Sequence, residues 1–262
     1  MPGPIGLLGG LEHYEPTLPL DRRILDEVGV FAPQVVILPL ASFRRQAPAA
    51  GALAYDQWTR LGAHATVVLP GPAFESRAIE AVARADVIVL PGGVPNRLMD
   101  GLAGSPVLIE IVARWQAGAA ITGSSAGAMN LFEKRLNLYP PDPFRLIPGL
   151  GLLSGYLAAP HFDRLRVRSW YRPFIGRLDV LAVIGIDEST GLVGRDGSMQ
   201  VLGAGTVSIA TGAGIDHYPS GSMIDLGPNL IRQPSHQDPV SSPSRSTPRQ
   251  LEPAAAASSP HW

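Results

Sequence analysis

A serine between glycines is the feature of this chain with the clearest chemical meaning. Residues 123–127 read Gly-Ser-Ser-Ala-Gly, directly after the apolar run 118–122 and directly before a stretch that favours a helix. This is the pattern of a nucleophile elbow, in which a sharp strand-to-helix turn exposes a serine hydroxyl. We therefore interpret Ser125 as a candidate nucleophile, with an ordinary serine- and glycine-rich turn as the alternative.

A serine hydroxyl is a weak nucleophile at neutral pH and needs a general base, which a third group must orient. Of the six histidines, His161 is the best placed, because it follows the strand-like run 156–160. We expect that run to end at the same carboxyl edge of the sheet as Ser125, where ligands bind in open α/β sheets. A loop histidine bonded to a backbone carbonyl is the alternative.

The acid that would orient His161 is ambiguous in the sequence. Glu188 follows the apolar run 183–186 and would also lie at a carboxyl strand end. Asp163 is a local competitor two residues after His161, while Asp187 points to the other side of an extended backbone. We favour Glu188, with a solvated surface acid as the alternative.

Backbone amides could stabilise the anion that forms when a serine attacks a carbonyl group. Ala126 lies in the first helical turn after Ser125, where N–H groups are free and the helix dipole favours negative charge. The turn 91–93 reads Pro-Gly-Gly, so its unhindered backbone can approach a substrate. Gly93 and Ala126 are therefore the predicted oxyanion-hole donors, and an ordinary strand-to-helix turn at 91–93 is the alternative.

The composition excludes several classes of protein. With 262 residues, 45% hydrophobic and 16% charged, the chain can bury a full core as one large or two small domains. The formal net charge is −1 without a block of like charge, so we expect neither nucleic acid nor an anionic membrane as partner. Cysteine is absent, which excludes disulfides, thiolate metal sites and a cysteine nucleophile.

We expect no secretory signal peptide in the first residues of this sequence. Residues 1–10 lack a basic region and a small-residue cleavage site, and no apolar run reaches the length that spans a bilayer. We therefore expect a cytoplasmic protein whose partner is a small molecule.

Short aliphatic runs alternate with helical patterns, which is typical of a mostly parallel sheet with helices on both faces. Helices are predicted over 76–84 and from Ser105-Pro106 onward, and runs such as 207–210 predict closing strands or a hairpin. Residues 1–232 are expected to form one domain, and the Pro-, Ser- and Ala-rich residues 233–262 a disordered tail. The predicted strands of the sheet are 5–8, 35–38, 65–69, 87–90, 119–122 and 180–186.

Together these motifs resemble the serine peptidases that include dipeptidase E and cyanophycinase. The resemblance covers residues 3–211 and rests on four motifs: Pro91-Gly92-Gly93, residues 123–128, His161-Phe162 and residues 185–190. It implies a three-layer sandwich like that of class I glutamine amidotransferases (flavodoxin-like), with serine in place of their cysteine. It also implies a Ser125-His161-Glu188 triad, an oxyanion hole from Gly93 and Ala126, and catalysis without metal or cofactor.

The resemblance further implies hydrolysis of short peptides or isopeptides at aspartyl residues through an acyl-enzyme. The chain departs from the family around the site, with Ala159-Pro160 before the histidine and Val94-Pro95-Asn96 after the two glycines. These departures argue against cyanophycin itself as the substrate.

We name Gly92, Asn96 and Arg164 as candidate substrate-binding residues, since Arg164 could hold a substrate carboxylate. A non-catalytic amidotransferase-like binding or regulatory domain, and an amidase or esterase acting on a small molecule, are the alternative functions. The expected partner is a small peptide or amide, and a homodimer is left open.

Overall fold

A mostly parallel sheet of eight strands forms the centre of the protein. The computed structural model describes residues 1–142, 145–164, 178–227 and 230–231. Within this part of the chain, five neighbouring strands are parallel and three extend the sheet in antiparallel fashion. In spatial order they are β14 (Met223–Asp225), β11 (Ser198–Gly203), β10 (Thr190–Arg195), β1 (Ile5–Leu8), β5 (Ala120–Ser124), β4 (Val87–Leu90), β2 (Gln34–Ile37) and β3 (His64–Val67).

Helices cover both faces of this sheet: α1 (Leu18–Val28), α2 (Ala47–Arg60), α3 (Phe74–Ala83), α4 (Pro95–Leu102), α5 (Pro106–Gln116) and α6 (Ala126–Leu131). Alternate residues of β4 enter separate cores, because successive side chains of a strand point to opposite faces. Val87 and Val89 pack in one cluster with α1 and α2, while Ile88 packs in the other with α3 to α6. The predicted fold class is therefore confirmed.

The predicted start of α5 shows why these boundaries can be recognised in the sequence. The Ser105 hydroxyl accepts a hydrogen bond from the Leu108 amide at 3.2 Å, and Pro106 occupies the first helical position. The buried residues Val107, Ile111 and Trp115 then repeat at helical spacing and face the core. Capping and periodicity thus agree on one boundary.

A second sheet carries part of the predicted site and corrects one expectation. It contains β13 (Ile215–Pro219), β12 (Thr206–Ala210), β9 (Ala182–Ile186) and β8 (Tyr156–Pro160), and β8 pairs with β9 in parallel. A short antiparallel pair, β6 (Lys134–Leu136) with β7 (Leu146–Pro148), comes directly before β8 in the sequence. The prediction that the strand before His161 and the run 180–186 belong to the same sheet as Ser125 is wrong, because an apolar run does not specify its pairing partner.

Some predictions fall on residues that the structure does not describe. The expected tail 233–262 lies outside the described residues. Within the described ranges, no helix has both the length and the apolar character needed to cross a bilayer.

Helix α1 carries a buried carboxyl group, that of Asp21, which contacts helix α2. Asp21 of α1 is 2% exposed and accepts a hydrogen bond from the Gln57 amide of α2, which also contacts Thr17 at 3.3 Å. Burial raises the pKa of Asp21 to about 7, against the opposing effect of the Gln57 bond, and the charge of Glu12 adds to the rise. The folded protein therefore holds this proton at pH values where the unfolded chain releases it.

We expect the stability of Asp21→Asn relative to the wild type to improve by about 2 to 4 kcal/mol between pH 5 and pH 8. Between about pH 4 and pH 7 the folded wild type binds more protons at Asp21 than the unfolded chain, so its stability falls as pH rises. Urea unfolding of both proteins at pH 5 and pH 8 measures the difference. Equal effects of the substitution at both pH values would contradict the prediction.

Candidate active site

Ser125 occupies a strained turn between β5 and α6. Its backbone has φ +48° and ψ −107°, and its amide donates to the Leu8 carbonyl at 2.9 Å. The flanking glycines are required by space, since a Cβ on Gly127 would lie 2.0 Å from the Leu90 carbonyl oxygen and one on Gly123 would meet the Gly127 backbone at 2.6 Å. The turn thus has the geometry expected of a nucleophile elbow.

His161 reaches Ser125 from the second sheet. It directly follows β8, and its Nε2 lies 2.9 Å from the Ser125 Oγ. The His161 amide donates to the Gly9 carbonyl at 2.9 Å, which ties the turn after β8 to the turn after β1. A Cβ on Gly10 would lie 2.2 Å from the His161 ring, so the ring packs directly on this glycine. The imidazole is therefore held against the large sheet although its strand belongs to the small one.

Glu188 contacts the other nitrogen of the imidazole. It lies in the turn that joins β9 of the small sheet to β10 of the large one, and its Oε1 is 2.8 Å from His161 Nδ1. Its side chain is 9% exposed. Asp163, the alternative acid, instead accepts a hydrogen bond from the Glu188 amide at 3.0 Å. The two carboxylates therefore have separate partners, and of the two it is Glu188 that hydrogen-bonds the imidazole.

The other predicted substrate contacts have partners of their own. The Arg164 guanidinium lies 2.6 Å from Glu188 Oε2 and is 67% exposed, so it pairs with the acid while facing solvent. The Asn96 side-chain oxygen accepts a hydrogen bond from the buried Arg135 at 2.7 Å. The NH₂ group of Asn96 makes no hydrogen bond within the described part of the chain and remains open to a ligand.

The loop after β4 lies against the nucleophile. A Cβ on Gly92 would lie 3.2 Å from the Ser125 Cβ, so the backbone of this loop borders the hydroxyl. The amides on either side of Gly93 are occupied, by Glu12 at 2.7 Å and by the Ala41 carbonyl at 2.8 Å. The Gly93 N–H makes no hydrogen bond within the residues that the structure describes. It is thus available to a ligand.

Sequence reasoning missed one residue at this site. Glu12 accepts hydrogen bonds from the Gly92 amide and, at 2.7 Å, from the Ser124 hydroxyl. The available signal was its position just after the Gly9-Gly10 turn that ends β1, since β1 is the neighbour of β5. Among the described residues, no three histidine, cysteine or acidic side chains group together as metal ligands would.

We expect the Gly10→Ala variant to lose activity by about 10²-fold, because the new methyl group displaces the His161 ring from Ser125. Gly104→Ala is the matched control, since Gly104 also has positive φ but has open space around its Cβ position. For the backbone conformation alone, Gly104→Ala should cost about 1 to 2 kcal/mol of stability, and Gly10→Ala at least as much because its φ of +118° lies further from the left-handed helical region. Thermal unfolding and steady-state kinetics of both variants separate the two effects, and equal activities would contradict the prediction.

This fold and this row of hydroxyl, imidazole and carboxylate are those of the serine hydrolases built on an α/β sheet. Comparison with known proteins narrows the class. Residues 6–202 match the model of peptidase family S51, so the chain belongs to that family and is a serine-type peptidase. The family resemblance predicted from the sequence motifs is thereby confirmed.

Individual relatives agree with this assignment. Cyanophycinases of Nostoc sp. and Trichormus variabilis are each 29% identical over 225 residues, which cover 80% of this chain and 74% of the relative. The crystal structure of a peptidase from an acI-B1 Actinobacterium covers 86% of this chain and 98% of its own, at 25% identity and a TM-score of 0.75.

A more distant solved structure shares the fold alone. A putative peptidase E protein from Listeria monocytogenes EGD-e matches 78% of this chain and 100% of its own, at 14% identity and a TM-score of 0.57.

Proposed function

We propose that the protein hydrolyses short peptides or isopeptides at aspartyl residues, with Ser125, His161 and Glu188 as the catalytic triad. The observation that carries the proposal is the continuous row of hydrogen bonds, 2.9 Å from Ser125 Oγ to His161 Nε2 and 2.8 Å from His161 Nδ1 to Glu188 Oε1. Both distances are those of a nucleophile with its base and a base with its orienting acid.

In the proposed reaction, His161 Nε2 takes the proton of the Ser125 hydroxyl as Oγ attacks the substrate carbonyl carbon. Glu188 accepts the Nδ1–H bond, which selects the tautomer with an unprotonated Nε2 and stabilises the imidazolium that forms. The amides of Gly93 and Ala126 stabilise the oxyanion. His161 then donates its proton to the leaving amine, and water attacks the acyl-enzyme by the reverse sequence of proton transfers.

Neighbouring groups support the proposed role of Glu188. Arg164 pairs with its second oxygen at 2.6 Å, and Asp163 fixes its backbone amide at 3.0 Å. A guanidinium has five N–H donors, so the exposed Arg164 retains donors for the carboxylate of an aspartyl substrate. With the Gly92 backbone and the NH₂ group of Asn96, Arg164 completes the proposed substrate contacts.

The test is a set of matched dipeptides incubated with the purified wild-type protein: aspartyl dipeptides, β-aspartyl isopeptides and the corresponding asparaginyl dipeptides. We expect release of amino acids from the aspartyl compounds and slower release from the asparaginyl ones, because only the aspartyl compounds carry a second carboxylate, on the aspartyl residue itself, besides the C-terminal one. Hydrolysis of none of them, with Ser125 still reactive to a fluorophosphonate, would favour an amidase or esterase. Absence of that reactivity would favour a non-catalytic domain.

A further inference from the structure

Glu12 is an acidic side chain beside the nucleophile for which the proposed reaction has no use. Its two carboxylate oxygens accept one hydrogen bond each, from the Gly92 amide and from the Ser124 hydroxyl, both at 2.7 Å. An ionised carboxylate has about four acceptor positions, so about two remain open. Glu12 is half-buried, so part of the residue remains exposed.

The charge of Glu12 has no cationic partner among the described residues, none of whose ion pairs includes it. The adjacent His13 does not supply one, since burial lowers the pKa of its imidazole. The two hydrogen bonds of Glu12 come from neutral donors, the Gly92 amide and the Ser124 hydroxyl. A cationic ligand group would be the first cation to pair with this carboxylate, since none among the described residues does.

The distances at Gly92 place this carboxylate within reach of a bound substrate. One methyl group on Gly92 would lie 2.8 Å from Glu12 Oε1 and 3.2 Å from the Ser125 Cβ, so the two residues face a common space. In a peptide, the nitrogen of a residue lies about 2.5 Å from the carbonyl carbon of the same residue. A carbonyl positioned for attack by Ser125 therefore brings its own residue's nitrogen close to Glu12.

We propose that Glu12 binds the protonated α-amine of the substrate residue whose carbonyl Ser125 attacks. This inference rests on the proposed peptidase function and adds the chemistry that selects its substrates. A charge-assisted hydrogen bond forms only with a free, protonated amine, whereas an amide nitrogen within a chain has no positive charge to offer. The enzyme then acts on the first residue of a short peptide and discriminates against blocked or internal residues.

The probes for this inference are two diphenyl phosphonates derived from the same amino acid, one with a free amine and one with an acetylated amine. Each reacts when Ser125 Oγ bonds to phosphorus and one phenol leaves with the serine proton, so no substrate needs to be known. The variant is Glu12→Gln, whose amide can still accept from the Gly92 N–H and donate to the Ser124 hydroxyl while losing the charge. The matched control is Glu15→Gln, an exposed acid three residues away.

We expect Glu12→Gln to slow the reaction of the free-amine probe by about tenfold to a hundredfold and that of the acetylated probe by less than about twofold. Glu15→Gln should leave both rates unchanged. An equal effect of Glu12→Gln on both probes, or no effect, overturns the role of Glu12 while the peptidase function stands. Failure of both probes to react with the wild type overturns the proposed nucleophile, and the inference with it.

Discussion

Replacing Ser125 by alanine is expected to abolish covalent labelling by a fluorophosphonate and to lower kcat/KM on the peptide substrate by at least about 10³-fold. The substitution removes Oγ, the atom that lies 2.9 Å from His161 Nε2. It keeps the Cβ and the hydrogen bond from the backbone amide of residue 125 to the Leu8 carbonyl. The elbow itself should persist, because its glycines are untouched. Labelling is read by intact-protein mass spectrometry and turnover by amino-acid release.

A second serine–histidine pair provides the control. Ser208 Oγ lies 2.8 Å from His217 Nδ1 on the neighbouring strands β12 and β13, but Ser208 is 1% exposed and lies within a strand. Ser208→Ala should therefore retain labelling and turnover. Equal labelling of the wild type and Ser125→Ala would refute Ser125 as the nucleophile.

The second large effect is expected at the acid. Glu188→Gln should lower kcat/KM by about 10³- to 10⁴-fold. Labelling by the fluorophosphonate should also become slower, but by a smaller factor. Glutamine has the same size but no charge, so it neither stabilises the imidazolium nor reliably selects the tautomer that leaves Nε2 unprotonated. Steady-state kinetics on the cleaved dipeptide measure the loss.

Asp163→Asn is the matched control for this prediction. The asparagine oxygen can still accept from the Glu188 amide, as Asp163 does at 3.0 Å, so the expected loss is less than about tenfold. If Asp163→Asn lowers kcat/KM as much as Glu188→Gln does, Glu188 is not the orienting acid. Circular dichroism of both variants confirms that each is folded before the rates are compared.

Local patterns were sufficient for much of the fold. Strand β4 is a continuous aliphatic run because both of its faces are buried, and α5 carries its cap, its proline and its apolar stripe within a dozen residues. The elbow was predictable for a similar reason, since a Cβ on Gly123 would meet the Gly127 backbone within the same turn. Such features depend on neighbours in the chain.

Features that depend on distant residues were not predictable. The run 156–160 shows a strand but not its partner, so its place in the second sheet required the structure. Glu12 meets Gly92 and Ser124 across 80 and 112 residues, and no spacing rule connects them. The choice between Glu188 and Asp163 depended on which side chain a turn directs at the ring, which the order of residues does not reveal.

Because the candidate site is divided between two sheets, a substitution in the small sheet can change the position of His161 without touching Ser125. The imidazole is carried by β8, whose neighbour β9 holds Gly185 under the Phe162 ring with no room for a methyl group. A larger residue at Gly185 would shift the support of the base and leave the serine turn intact. Under the proposed mechanism, a related protein with such a substitution in its small sheet would lose activity while its serine motif stayed unchanged. An intact serine motif in a relative is therefore not by itself a sign of activity.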